Sequence, residues 1–276
     1  MRRATERAVA EISRLENIFS LYRPESELCR LNRAGCLDGP SLDLVELLGE
    51  SVRLSELSSC AFDVTVQPLW NLYRDHFAEP RFDPAGPAPE AIAAARSLVD
   101  FRMIEISNGQ IRLGKPGMAV TLNGIAQGCI TDRIADLLRD SGFEHVLIDL
   151  GEIRALGHPL SAMGWPVQIE HLNAAAEGPE PLLLSDRAIA TSAGVASPFD
   201  ATGRHHHIFD PATGASTRRY RGVSVIASRA TLADGLSTAL TVLPPERGIV
   251  LLDRIGDVKA FWLTAEGELL RHSSAA

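Results

Sequence analysis

Two side chains one helical turn apart, Asp234 and Thr238, are the pair in this chain with the clearest chemical potential. They lie in Ala230-Thr-Leu-Ala-Asp-Gly-Leu-Ser-Thr238, where apolar spacing predicts a helix over residues 231–242. At i and i+4, a carboxylate and a hydroxyl stack on one helical face. Both are hard oxygen donors of the kind Mg²⁺ takes, the remaining positions going to water and phosphate. A structural reading stands beside this one. Thr231 and Asp234 fit a variant capping box, which accounts for Asp234 but not for Thr238.

Three other stretches carry polar chemistry. His205-His-His-Ile-Phe-Asp-Pro-Ala-Thr-Gly214 ends in strong turn residues, Asp210-Pro-Ala-Thr-Gly. Its histidines alternate in direction if extended, so two at most share a face. Either the segment is a polar loop entrance, or one histidine meets a ligand beside an apolar wall of Ile208 and Phe209. Thr191-Ser192 closes a predicted strand and offers hydroxyls and N–H groups, or simply a turn. Val120-Thr-Leu-Asn-Gly-Ile-Ala-Gln-Gly-Cys-Ile-Thr-Asp132 reads as a short strand running into a helix, with Gly124 and Gly128 clearing space at the helix start. A helix start presents unpaired N–H groups and partial positive charge, which suits a phosphate-bearing ligand. The spacing is neither GxGxxG nor a P-loop, and HExxH and G-x-S-x-G are absent from the chain.

Positioning these groups falls to interspersed helices and strands. Helices are predicted over residues 4–20, from Ser41 as N-cap through Val52, from Pro89 to Val99, behind the glycine-rich stretch to Gly142, and over 245–255. Residues 60–68 read as mostly extended, and 78–90 as a surface loop. Residues 103–106 and 110–113, joined by Asn108-Gly109, predict a tight hairpin with a type I′ turn. Further strands are expected at 145–150, 165–171 and 222–228, as a pair within 182–191, and as a final hairpin across Glu266-Gly267; residues 173–180 read as an exposed loop. Hairpins among helices favour α+β with mixed or antiparallel sheets, in a single domain over 1–276, rather than a doubly wound parallel sheet.

Composition narrows the function. The 276 residues are 45% apolar and carry net charge −8, from 27 basic and 35 acidic side chains. Without a basic stripe, and with only 5% aromatics, nucleic acid is excluded as the main partner. The cysteines, Cys29, Cys36, Cys60 and Cys129, lack zinc spacing; a Cys29–Cys36 bridge is conceivable, and four free, partly buried thiols are the favoured reading. No apolar run is long enough to span a membrane, and Met1-Arg-Arg-Ala is not followed by the apolar core of a signal peptide.

Taken in order, these pieces resemble the ApbE family of FAD:protein FMN transferases. The likeness runs through Phe19-Ser-Leu-Tyr-Arg-Pro-Glu-Ser-Glu-Leu-Cys-Arg-Leu-Asn32, Ala61-Phe-Asp63, residues 123–132, Gly151-Glu-Ile-Arg154, Thr191-Ser192, His207-Ile-Phe-Asp-Pro-Ala-Thr-Gly214 and Ala233-Asp-Gly-Leu-Ser-Thr238. The wording Leu-Asn-Gly-Ile-Ala-Gln-Gly, with Leu150-Gly-Glu-Ile-Arg-Ala-Leu-Gly157, is most similar to the NosX branch, which is associated with nitrous oxide reductase maturation. The resemblance implies an enzyme that binds FAD and Mg²⁺, joins FMN to a Thr or Ser of an acceptor flavoprotein (a NosR-like membrane protein) and releases AMP. It implies FAD contacts from Tyr22, Ala61, Phe62, Asp63 and Ile208, with Thr121 and Gln127 beside them. Mg²⁺ would be held by the Gly124 carbonyl, Asp234 and Thr238, and His207 would sit near the reacting phosphate. Thr121 and Gln127 depart from the acidic, and the Lys or Glu, residues many members carry there. The family's N-terminal strand and export signal read as absent from this chain, so periplasmic location is an expectation from kinship alone. The rival readings are a non-catalytic FAD-binding or delivery protein of the same fold, and an FAD diphosphatase.

Overall fold

The computed structural model describes residues 2–107, 109–169 and 181–275. Its helices are α1 (Arg2–Phe19), α2 (Glu27–Ala34), α3 (Leu42–Leu57), α4 (Gln67–Ala78), α5 (Pro89–Arg96), α6 (Ala126–Asp140), α7 (Ala230–Val242) and α8 (Pro245–Ile255). Its strands are β1 (Cys36–Asp38), β2 (Ile104–Ser107), β3 (Gln110–Leu113), β4 (Val146–Asp149), β5 (Ile153–Leu156), β6 (Trp165–Val167), β7 (Leu182–Leu184), β8 (Ala188–Ser192), β9 (Tyr220–Ala227), β10 (Lys259–Thr264) and β11 (Leu269–Ser273). Every pairing among the described strands is antiparallel, so the α+β expectation holds. No described helix is long and apolar enough to cross a membrane.

The chain divides into two compact units, each built from separated segments. The first contains Met1–Arg14, Gly124–Ala193 and Arg219–Ala276. Its six-stranded sheet runs β11-β10-β9-β8-β5-β4. Alternation along the strands sorts their side chains between two faces. Ile189, Ile226, Phe261 and Leu263 join Val167 and Leu184 of the β6–β7 ribbon in one apolar cluster. On the opposite face, β8 turns Ala188, Ala190 and Ser192 toward α7, whose hydroxyls Ser192 reaches. Small residues there let α7 settle closely on the sheet. Leu236 and Leu240 of α7 are fully buried, as befits a helix apolar on nearly every side. A second cluster joins α6, through Ile134 and Ala135, to Ile148 and Leu156, with Ala8 and Ile12 of α1 packed on it.

The second unit contains Leu15–Asn123 and Gly194–Arg218. It has a small sheet in the order β1-β3-β2 and a cluster of Leu69, Tyr73 and Phe209, flanked by Trp70, Phe77 and Phe199. The β2–β3 hairpin forms in the expected register, Ser107 opposite Gln110. Gly109 has φ +81°; Asn108, the other half of the turn, lies outside the described residues, as do 173–180.

Three expectations change. Residues 60–68 are not extended: left-handed Ser59 and Cys60 (φ +55° and +68°) reverse the chain, and Pro68 sits in the first turn of α4, where a missing N–H costs nothing. The 120–123 stretch is not a strand. The Asn32 side chain clamps Val120, accepting from its N–H at 2.6 Å and donating to its carbonyl at 2.8 Å. β7 and β8 both form but pair elsewhere, β7 with β6, and β8 with β5 and β9. As the favoured reading had it, none of the four cysteines is disulfide-bonded; Cys60 is exposed and the other three are half-buried. Truncating Leu236 to alanine removes a side chain from the most enclosed helix, so chemical denaturation should show a loss of about 2–5 kcal/mol; a loss below ~1 kcal/mol would mean the helix is less enclosed than described.

Candidate active site

α7 begins without a cap of its own. Arg229 occupies the N-cap position and makes no side-chain cap bond. The N–H groups of Ala230 and Thr231 donate instead to Asp132 of α6, each at 2.9 Å, and the Thr231 hydroxyl donates to the same carboxylate at 2.7 Å. The capping box expected between Thr231 and Asp234 is therefore absent, and Asp234 is released for another use.

That use is set by the contact of α6 with α7. The Gly128 N–H donates to Asp234 Oδ2 at 2.9 Å. A Cβ on Gly128 would stand 2.3 Å from the Ala230 carbonyl oxygen. Gly128 thus serves the helix crossing. It lies in the first turn of α6, which begins at Ala126, so it clears space at the helix start as expected. One turn beyond Asp234, Thr238 Oγ1 lies 3.2 Å from Ser192 Oγ, which also bonds Ser237 Oγ at 2.7 Å. Asp234, Thr238 and Ser192 are so gathered at one end of the β8–α7 contact.

A second acid faces the same place. Glu152, in the β4–β5 turn, is buried and accepts the Thr191 backbone N–H. Burial first, and then the Asp234 charge, push its carboxyl up to about 9. Burial also raises Asp234, to about 7, against the lowering pull of the Gly128 N–H. Two buried carboxyls that resist ionising beside each other, with hydroxyl oxygens next to them, fit a divalent cation, whose charge would reverse that resistance. Among the described residues, no three His, Cys, Asp or Glu side chains form a metal cluster; the donors here are two acids and hydroxyls. Gly124 lies just ahead of α6, half-buried. Gln127 is tied down: its amide donates to the Leu150 carbonyl at 2.6 Å, and it fills the space where a Gly151 Cβ would stand.

The remaining residues of the expected site lie in the second unit. Tyr22 is 75% exposed on a loop, available to stack on a planar ligand. Ala61 and Phe62 are buried. Asp63 is occupied structurally: one oxygen accepts from the Thr65 N–H and hydroxyl, the other from the Phe101 N–H at 3.1 Å, and burial raises its pKa. The Thr121 N–H bonds the Val64 carbonyl at 2.8 Å, and its hydroxyl accepts from Asn123.

The three histidines separate by role. His205 packs on Tyr73 and Phe77, with ring centroids 5.7 and 5.0 Å away. His206 is buried, with Nε2 2.6 Å from the Thr217 carbonyl. His207 is half-buried, with Nδ1 3.2 Å from the Ser197 carbonyl oxygen. That contact assigns the proton to Nδ1 and leaves the Nε2 lone pair available; burial lowers the ring's pKa and keeps it neutral near pH 7. Ile208 and Phe209 behind it are buried. The Asp210–Gly214 turn forms as expected, with the Gly214 N–H bonded to the Asp210 carbonyl and Gly214 at φ +74°.

Sequence reasoning passed over three residues: Asp132, Glu152 and Arg154. Each lies in a stretch that carries the family resemblance, Asp132 in residues 123–132 and the other two in Gly151-Glu-Ile-Arg154. Their burial and partners, which give them meaning, come from segments 22 to 99 positions apart.

The raised carboxyls set a pH dependence. A folded-state pKa above the unfolded value contributes stability that is complete below about pH 4 and is lost as pH rises through about 7 to 9. Metal-free protein should therefore lose thermal stability from pH 5 to pH 9, and Mg²⁺ should restore more of it at pH 9 than at pH 5. Melts of Asp234→Asn should show a flatter pH profile and little Mg²⁺ response; a full Mg²⁺ response in that variant would rule out Asp234 as a cation ligand.

The ApbE family model matches residues 2–262. The FAD:protein FMN transferase of Vibrio cholerae is 32% identical over 85% of this chain and 72% of its own length; that of Treponema pallidum is 29% identical over 94% and 76%. Among solved structures, the flavin transferase ApbE of Vibrio cholerae superposes with TM-score 0.84 at 26% identity, covering 99% of this chain and 89% of that one. The apo flavinyl transferase ApbE of Pseudomonas stutzeri gives 0.82 at 29%, covering 99% and 86%. Helix crossing, glycine stretch and histidine turn all fall inside the family match, and the chain belongs to the ApbE family.

Proposed function

We propose that this protein is a Mg²⁺-dependent FAD:protein FMN transferase, which moves FMN from FAD onto a Thr or Ser hydroxyl of an acceptor flavoprotein and releases AMP. The observation that carries the reading is the buried acid pair Asp234 and Glu152 next to the Thr238 and Ser192 hydroxyls. The Vibrio cholerae relative named for this activity supports it.

Asp234, the Thr238 hydroxyl and the Gly124 carbonyl would hold Mg²⁺. When bound, the ion neutralises charge gathering on the diphosphate oxygens as one phosphorus–oxygen bond replaces another. The amino end of α6 adds partial positive charge of its own. Tyr22, Ala61, Phe62 and Ile208 would line the flavin, the exposed Tyr22 ring by stacking, while Thr121 would orient a polar edge and Gln127, held on the Leu150 carbonyl, would brace the β4–β5 turn beside the site. His207, through Nε2, takes the proton from the acceptor hydroxyl as that oxygen bonds to the FMN phosphorus. The bond from this phosphorus to the oxygen bridging to the AMP phosphate breaks, and AMP departs with the electron pair. Motif wording resembling the NosX branch supports a NosR-like membrane flavoprotein as acceptor; kinship with a family of exported proteins supports the periplasm as the place of action.

Incubating the protein with FAD, Mg²⁺ and a NosR-type flavin domain should give a fluorescent, denaturation-resistant acceptor band. Free FMN with unlabelled acceptor would show a diphosphatase; intact FAD at stoichiometric binding would show a carrier. His207→Ala should slow transfer by about 100-fold or more while FAD affinity changes by less than about twofold. Loss of FAD binding instead would reassign the histidine to recognition.

A further inference from the structure

We propose that Asp132 is a positioning residue for the reaction, acting through the amino end of α7 to fix the axial setting and rotation of the helix that carries Asp234 and Thr238. The inference rests on the transferase reading above for its consequence, and on hydrogen bonds within one compact unit for its geometry. Asp132 is 3% exposed. Its carboxylate accepts from Ala230 N–H, Thr231 N–H and Thr231 Oγ1. It also receives Arg154 Nη1 at 3.1 Å, with Arg229 Nε 3.4 Å away. Arg154 is itself buried and donates to the Ser228 carbonyl, on the chain just before α7. Asp132 therefore does for α7 what an N-cap does, from a different helix.

The spacing makes this a lever. Gly128 and Asp132 lie four residues apart on α6, and Ala230, Asp234 and Thr238 lie at successive intervals of four on α7. Each set shares a helical face. The two faces meet at Asp132 against Ala230 and Thr231, at Gly128 against the Ala230 carbonyl, and at the Gly128 N–H against Asp234. A shift of the first α7 turn moves both proposed ligands together. A helix capped by its own Ser or Thr would be as stable but would not be indexed to α6.

The test is Asp132→Asn, with Thr231→Val as the milder variant that removes only the hydroxyl donor. Amide hydrogen exchange of the metal-free proteins reports the geometry without catalysis. Exchange at Gly128 and in the first turn of α7 should speed by about tenfold or more in Asp132→Asn, and less in Thr231→Val, with the rest of the unit protected. In the transfer assay, Asp132→Asn should raise the Mg²⁺ concentration for half-maximal rate by about 10–100-fold, with the KM for FAD changed by less than about twofold, and excess Mg²⁺ should recover most of kcat. Should Asp132→Asn fail to fold, Thr231→Val carries both readouts. If wild-type turnover proves independent of Mg²⁺ while Asp132→Asn still loosens Gly128 and slows transfer, positioning stands and the metal reading falls. Unchanged Gly128 exchange with an unchanged Mg²⁺ requirement would overturn the proposal.

Discussion

One close approach governs the candidate site: the backbone of α6 at Gly128 against the first turn of α7. The Gly128 N–H bonds Asp234, and no side chain fits between Gly128 and the Ala230 carbonyl oxygen. Everything placed on α7 inherits its position from this contact. The small residues of β8, Ala188 and Ala190, are fully buried on the sheet beside it, and Ser192 ends the strand where Thr238 comes within reach. The glycine, the alanines and the serine are thus consequences of one packing distance, and an acid would otherwise not be carried this deep into the fold.

Burying Asp234 beside Glu152 is unfavourable for the protein alone, since desolvation and like charge both oppose ionisation. Such arrangements are kept at functional sites because a ligand of opposite charge reverses them. By contrast, Asp132, equally buried, is surrounded by donors and guanidinium groups and serves structure. Two aspartates near one helix end therefore have opposite roles, and their partners decide which.

Much of this was readable in the chain. The i, i+4 spacing placed Asp234 and Thr238 on one face, the Asn-Gly hairpin gave β2 and β3 their register, and the bounds of α8 fell at 245–255 as its Pro start and following Gly256 indicate. Ordered motifs identified the family before any geometry was known. What sequence misread were places where a distant partner replaces a local one. Thr231 resembled half of a capping box, yet Asp132, 99 positions away, takes its hydroxyl. Val120 resembled a strand, yet the Asn32 side chain satisfies its backbone. Pro68 seemed to end an extended run but starts α4, because the left-handed turn at Ser59 and Cys60 is invisible to pattern. Of three adjacent histidines the family resemblance picked out His207, but its Nδ1 contact with the Ser197 carbonyl, which leaves Nε2 available, depends on a fold the spacing does not show.

The central claim is that α7 presents a carboxylate and a hydroxyl to one divalent ion at its crossing with α6. A crystal of the protein grown with FAD and Mn²⁺, measured at the manganese absorption edge, tests it most directly. The account predicts a single strong anomalous peak bonded to Asp234 and Thr238 and touching the FAD diphosphate. FAD bound with no peak there, or with the ion on other side chains, would contradict it.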